Sequence, residues 1–211
     1  KEKKNPFFFA PFGPTMWYFK MPNHMVDFLN DKMDRRLDDF SDYLVGKVSQ
    51  ELHFDKETRK YAGEQLTDFI IDYHKYTKSR NSMGQLSLDT NKKVELDIIA
   101  AWYVRQFENE YNPIHFHNGH VSGVGYLKLP ENFGETVQSN KKSNLNGHLS
   151  LIHGNRMFNS SSMFNIKPEE GDFYFFPNYM MHTVFPFYGP GERRSISFNA
   201  NIDQEIYNVY G

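Results

Sequence analysis

From Pro22 to about Asp38 the apolar residues Met25, Phe28, Leu29 and Met33 recur at three- and four-residue intervals, the spacing that gathers side chains on one helix face. Pro22 suits the first turn, where its missing N–H costs nothing. A second helix is expected from Glu57 to Tyr76, with Tyr61, Leu66, Phe69, Ile70 and Tyr73 on its apolar face and Lys78 and Arg80 just beyond, where basic groups favour a helix C-terminus. Ahead of both, residues 5–20 mix three prolines with aromatic side chains and read as an extended lead-in ending in a short strand at an edge of the main sheet.

Beyond Val94 the period changes. Val94 to Ile98 alternates, Ala101 to Phe107 continues as a β-rich run, and short strands are expected at Ile114 to His117, Val121 to Leu129, Gly147 to Ile152, Asp172 to Phe176, His182 to Phe185 and Arg193 to Ala200. Gly, Pro, Asn and Ser punctuate these runs, and the polar stretch Gln138 to Asn146 reads as a surface loop. Many short strands with turn signals specify a sandwich or barrel. The expected layout is one domain over residues 1–211: an N-terminal extended segment with supporting helices over 1–93, and a β core over 94–211.

Composition sharpens this picture. Aromatic residues make up 17% of the chain, with 20 Phe and 13 Tyr, a bias suited to broad rings on half-buried strands. With 24 Lys and Arg against 26 Asp and Glu, the net charge of -2 provides no global field to recruit nucleic acid or an anionic membrane. No stretch has the length and apolarity of a membrane span and no secretory signal is evident, so a cytoplasmic protein is expected; a homodimer is left open. The chain has no cysteine, so any metal must be held by histidine and carboxylate.

His115-Phe116-His117 puts two imidazoles at i and i+2, which on a strand share a face. Nine histidines in 211 residues would produce about 0.4 such pairs by chance, so the pair needs a partner to mean anything. His182 offers one. It follows Glu169 to Pro177, a tight Glu-Gly-Asp turn and an aromatic strand halted by Pro177, so a third imidazole arrives from a distant strand. Three such ligands form a facial site with open coordination positions, as oxygen chemistry requires. In Arg193-Arg194-Ser195-Ile196-Ser197-Phe198-Asn199, alternate residues 193, 195, 197 and 199 share a face. A guanidinium beside a hydroxyl suits a two-pronged carboxylate, so Arg193 and Ser195 are candidates to hold a dicarboxylate; the competing reading is a solvated edge strand.

The order of these elements resembles the iron(II)- and 2-oxoglutarate-dependent oxygenase superfamily over about residues 94–200. In particular it resembles the bacterial and phage family in which His-x-His precedes a Ser-Gly-Val-x-Tyr-Leu strand, here Ser122 to Leu127, followed by Glu-Gly-Asp, Phe-Pro, a distal His and an Arg-x-Ser strand ending Phe-Asn. The resemblance implies a double-stranded β-helix, a jelly roll of cupin type. It also implies an Fe(2+) ion on His115, His117 and His182 and 2-oxoglutarate as co-substrate, with Tyr126 beside Arg193 and Ser195 at its far carboxylate. The implied activity is a dioxygenase, a hydroxylase that consumes O2 and 2-oxoglutarate, releases succinate and CO2, and acts on a peptidyl residue or a small metabolite. Position 117 departs from the superfamily, which usually places a carboxylate there, so His120 or Glu108 remain alternatives for the third ligand. Two further readings stand beside this one: a cupin-like three-histidine dioxygenase that does not use 2-oxoglutarate, and a non-catalytic jelly-roll binding module. His24, His53 and His74 read as surface or core residues, His148 and His153 as bracketing a strand at the barrel mouth, and Trp102 and Tyr103 as core packing, with pocket lining as the alternative.

Overall fold

A computed structural model describes residues 13–40, 51–81, 96–136 and 140–202. Both expected helices form. α1 spans Asn23–Phe40 directly after Pro22, and α2 spans Lys56–Asn81. Asp55 precedes α2 and its carboxylate accepts the Thr58 backbone N–H at 2.7 Å, satisfying a donor the helix cannot pair internally. The apolar faces are the expected ones: Met25, Leu29 and Met33 on α1 and Leu66 and Ile70 on α2 are 0–2% exposed. Each contributes about 1.5–3 kcal/mol by leaving water.

Those faces cover one side of a six-stranded antiparallel sheet. Its strands are β1 (Trp17–Lys20), β2 (Glu51–His53), β3 (Asp97–Gln106), β5 (Val121–Lys128), β8 (Asp172–Pro177) and β10 (Arg193–Asn201), in the order β1-β8-β5-β10-β3-β2. A second sheet of four strands, β4 (Asn112–His115), β6 (Leu149–Ile152), β7 (Met163–Ile166) and β9 (Met181–Val184), runs β4-β9-β6-β7. From β3 to β10 the chain passes back and forth between the sheets, with only β6 and β7 consecutive in one sheet, which is the double-stranded β-helix. Its interior is lined by Val124, Tyr126, Leu149, Leu151, Ile166, Phe176 and Met180, a cluster separate from the one beneath the helices.

Strand β1 takes the expected edge position against β8. Several boundaries differ from the sequence expectation. Val94 lies outside the described residues, and the two runs around Ile98 and Ala101 are one strand, β3. The expected strand Ile114 to His117 is displaced two residues toward the N-terminus, so β4 ends at His115 and His117 stands just past it. Strands β2 and β7 were not expected: β2 has three residues, too few to show a period, and β7 exposes three of its four. Of the loop expected at Gln138 to Asn146, residues 138 and 139 lie outside the described residues and 140–146 form no helix or strand. Among the described residues no helix is long and apolar enough to cross a membrane.

Candidate metal centre

Strand register brings the distant histidine to the pair. His115 of β4 lies opposite His182 of β9, and His182 lies opposite Leu151 of β6, so one row crosses the inner face of the smaller sheet. His117 joins from the segment beyond β4. Its backbone N–H donates to Asn178 O at 3.1 Å, and the Asn178 side-chain amide donates back to His117 O at 3.1 Å, so the turn after Pro177 holds it. Ring centroids are 4.2 Å apart for His115 and His182, and 4.9 Å for each pair involving His117. One ligand atom from each of the three lies within 4.8 Å of the others, a spacing that fits a common ion.

The tautomers suit a metal. His115 Nδ1 lies 2.7 Å from Pro113 O and His182 Nδ1 lies 2.9 Å from Met180 O. A carbonyl only accepts, so each Nδ1 carries the hydrogen and each Nε2 keeps its lone pair for a cation. Burial, with His182 and His115 alongside, holds His117 well below the usual imidazole range, at about 3. Burial and the neighbouring His115, opposed by the bond to Met180 O, hold His182 at about 4. Both imidazoles are neutral over the ordinary pH range, the form a metal would need.

Around them the cavity is apolar and aromatic. Trp102 of β3 stands edge-on to His117 at 5.6 Å, and Phe176 of β8 to His182 at 5.2 Å. Of the two readings open for Trp102 and Tyr103, core packing holds for Tyr103, whose hydroxyl donates to Leu29 O at 2.9 Å, and pocket lining for Trp102. Phe176 and Asn178 were not singled out from the sequence, although alternation along β8 puts Phe176 on the face that also carries Tyr174. The alternatives at position 117 are not brought in: His120 Nδ1 accepts the Ile202 N–H at 3.0 Å, and Glu108 is an exposed turn residue outside the histidine grouping.

On the larger sheet, β10 is central and not a solvated edge. Arg193 and Arg194 are each 1% exposed and face opposite ways. Arg194 points to α1, donating to Asp34 at 2.8 Å, Asn30 at 3.0 Å and Glu192 at 2.9 Å. Arg193 points into the barrel, its Cζ 5.0 Å from the Tyr126 ring centroid and its Nε donating to Gly147 O at 3.2 Å. Ser195 lies opposite Tyr126 in register. Among the described residues, Arg193 Nη2 and the Tyr126 hydroxyl are buried with no hydrogen-bond partner. Burial pushes Arg193 below the usual guanidinium range, against the pull of Tyr126, and pushes the Tyr126 hydroxyl up, against the pull of Arg193. Buried polar groups left unpaired cost free energy and mark a place for a ligand that would pair them. Beside Arg193 a cavity of about 130 Å³ opens between Val104, Gln106, Asn112 and Val184, at the register pair of β4 and β9 next to His115 and His182. The donor set fits both groups the sequence implied, a divalent cation at the three imidazoles and a carboxylate at Arg193 and Tyr126.

Comparison with known proteins gives the same picture. The model of the family described as "Putative 2OG-Fe(II) oxygenase" matches residues 100–199. No curated protein sequence matches. Among solved structures, the viral collagen prolyl hydroxylase vCPH from Paramecium Bursaria Chlorella virus-1, in its 2OG complex, superposes with a TM-score of 0.53 at 14% identity, covering 90% of this chain and 96% of that one. AviO1 from Streptomyces viridochromogenes Tue57 gives 0.55 at 12% identity, covering 92% of each chain. HygX from Streptomyces hygroscopicus with nickel and 2-oxoglutarate bound gives 0.51 at 12%, covering 88% and 82%. At these identities the structures speak for the double-stranded β-helix. The family match runs from within β3 to within β10 and carries all three histidines, and over that stretch the chain is similar to the 2OG-Fe(II) oxygenases.

Proposed function

We propose that this chain hydroxylates a C–H bond of an organic substrate, with His115, His117 and His182 as the iron ligands and Arg193, Ser195 and Tyr126 as the holders of the far carboxylate of 2-oxoglutarate. The carrying observation is that three imidazoles from two distant segments meet within 4.8 Å, while among the described residues the buried Arg193 Nη2 and Tyr126 hydroxyl lack partners. When bound, the iron and 2-oxoglutarate supply the oxidising power, with O2 reduced and 2-oxoglutarate converted to succinate and CO2.

The protein's share is placement and exclusion. The Nδ1–H bonds to Pro113 O and Met180 O fix the His115 and His182 rings with Nε2 inward. Arg193 and Tyr126 give the carboxylate charge-assisted hydrogen bonds in a dry site, where such bonds are stronger than in water. Trp102, Leu151 and Phe176 keep water from the reacting centre.

The test is anaerobic loading with Fe(II) and 2-oxoglutarate, followed by O2 and quantification of succinate. The expected result is iron-dependent succinate formation that is lost in His182→Ala and strongly reduced in Arg193→Ala. O2 consumption without succinate would instead favour direct binding of a substrate carboxylate at Arg193, as in a three-histidine dioxygenase that uses no 2-oxoglutarate. Absence of both 2-oxoglutarate binding and turnover by the iron-loaded protein overturns the reading.

A further inference from the structure

The charges in the cavity lead one step further, on the reading of the site just given. Among the described residues the three-ligand grouping contains no carboxylate. Asp172 lies close enough to influence Tyr126, but its charge is matched by Lys20 at 2.9 Å. Glu192 is taken up by Arg105 at 2.7 Å and Arg194 at 2.9 Å. Arg193 remains as a buried cation whose Nη2 has no partner. A divalent ion on three neutral imidazoles therefore stands at +2, with the Arg193 guanidinium inside the same barrel and no neutralising acid among the ligands; the carboxylate lining the cavity beside Arg193, Glu51, belongs to an exposed residue. Concentrating positive charge in a low-dielectric interior is unfavourable unless an anion arrives with it.

We propose that His117 makes metal capture dependent on the dianion: the three imidazoles alone hold the ion weakly, and 2-oxoglutarate, bringing one carboxylate to the metal and one to Arg193, supplies the missing negative charge, so that metal and co-substrate load as a unit. Linkage requires the dependence to be reciprocal, the metal raising the affinity for 2-oxoglutarate by the same factor. A site with a carboxylate at position 117 would hold the metal firmly by itself and gain less from the dianion. Even at the bulk-water limit, one unit of charge about 4 Å away changes an affinity by about fivefold, and more in a partly buried site. The coupling factor in this protein should therefore exceed that of a carboxylate variant by at least about fivefold.

The experiment measures the dissociation constant of Mn(II), from the free-ion electron paramagnetic resonance signal, with and without saturating 2-oxoglutarate. It compares the parent protein with His117→Asp and, as a longer carrier of the same charge should the first variant not fold, His117→Glu; circular dichroism checks folding. The expected result has two parts. Without 2-oxoglutarate the carboxylate variant binds Mn(II) more tightly than the parent; with it the parent gains at least about fivefold more than the variant. Equal gains, or a parent that already binds Mn(II) as tightly as the variant, overturn this proposal and leave the dioxygenase reading intact. If neither parent nor variant binds 2-oxoglutarate in the presence of metal, the dioxygenase reading falls, and this proposal with it.

Discussion

Replacing Tyr126 by Phe should move stability and affinity in opposite directions. The side chain is 0% exposed, lies among Val124, Leu149 and Leu151, and its hydroxyl has no hydrogen-bond partner. A buried unsatisfied hydroxyl costs about 1–3 kcal/mol, so removing the oxygen while keeping the ring should stabilise the ligand-free protein by about 1 kcal/mol. For a chain of this size that is a rise in melting temperature of about 2–4 °C. If the hydroxyl is reserved for a carboxylate, the same change removes a hydrogen bond to a charged group, worth about 1.5–3 kcal/mol. The affinity for 2-oxoglutarate should then fall roughly 10- to 150-fold. Urea denaturation of the metal-free protein gives the first quantity, and calorimetric titration of 2-oxoglutarate into the Mn(II)-loaded protein gives the second. A variant that is less stable by a kilocalorie or more and still binds 2-oxoglutarate within twofold of the parent would refute the reasoning, because its hydroxyl would then be serving the fold and not the ligand.

Other substitutions probe how the site is built. Glu192→Gln leaves Arg105 and the 1%-exposed Arg194 short of a counter-charge, and should cost about 3 kcal/mol in urea denaturation. Burial raises the Glu192 carboxyl, but hydrogen bonds from Arg194 and Arg105 outweigh it and hold the group below its ordinary value. Its stabilisation is thus complete above the unfolded value of about 4.3 and is lost as pH falls through the lower folded value, so acid unfolding should steepen in the parent relative to Glu192→Gln. Gly123→Ala would put a Cβ 2.1 Å from Phe198 Cε1 and 2.9 Å from Phe173 Cε1, and should lower stability by about 1–3 kcal/mol. For His117 and His182, held at about 3 and about 4, the sign is that of depressed bases. Below an unfolded value of about 6.5 the unfolded chain binds protons the folded one refuses, so the metal-free protein should lose stability steadily as pH falls from about 6.5 toward 4, a trend that a series of urea midpoints would record.

Much of the site was legible because its chemistry sits in short motifs, yet the reasons those motifs work were partly different from the ones the sequence offered. The two imidazoles of His115 and His117 converge as expected, but not as i and i+2 on one strand, since β4 ends at His115. The Asn178 amide and carbonyl complete the job by gripping the His117 backbone, a pairing between residues 61 apart that no local pattern reveals. The short strands β2 and β7 were missed because neither has enough residues to display a period, and both exist through pairing with longer neighbours, β3 and β6. The ion cluster of Arg105, Glu192, Arg194 and Asp34 was equally silent, being assembled from three separate segments.

The choice between Arg193 and Arg194 shows how the two sides of a sheet cooperate. Alternation says only that one faces in and the other out; it cannot say which. In β5, Ser122, Val124 and Tyr126 face the cavity, while Gly123 and Gly125 lie outward where the Phe173 and Phe198 rings leave no room for a side chain. In β10, opposite it, Ile196 and Phe198 join the core beneath the helices. A slip of one residue would drive those apolar groups into the cavity and bring Arg194 in place of Arg193. The bonds from Arg194 to Asn30 and Asp34 of α1 resist that slip, because they exist only when Arg194 faces the helix. The outward arginine thus fixes which guanidinium faces the barrel interior, and the ion pair on the helix side is part of what turns Arg193 inward with its Nη2 unpaired.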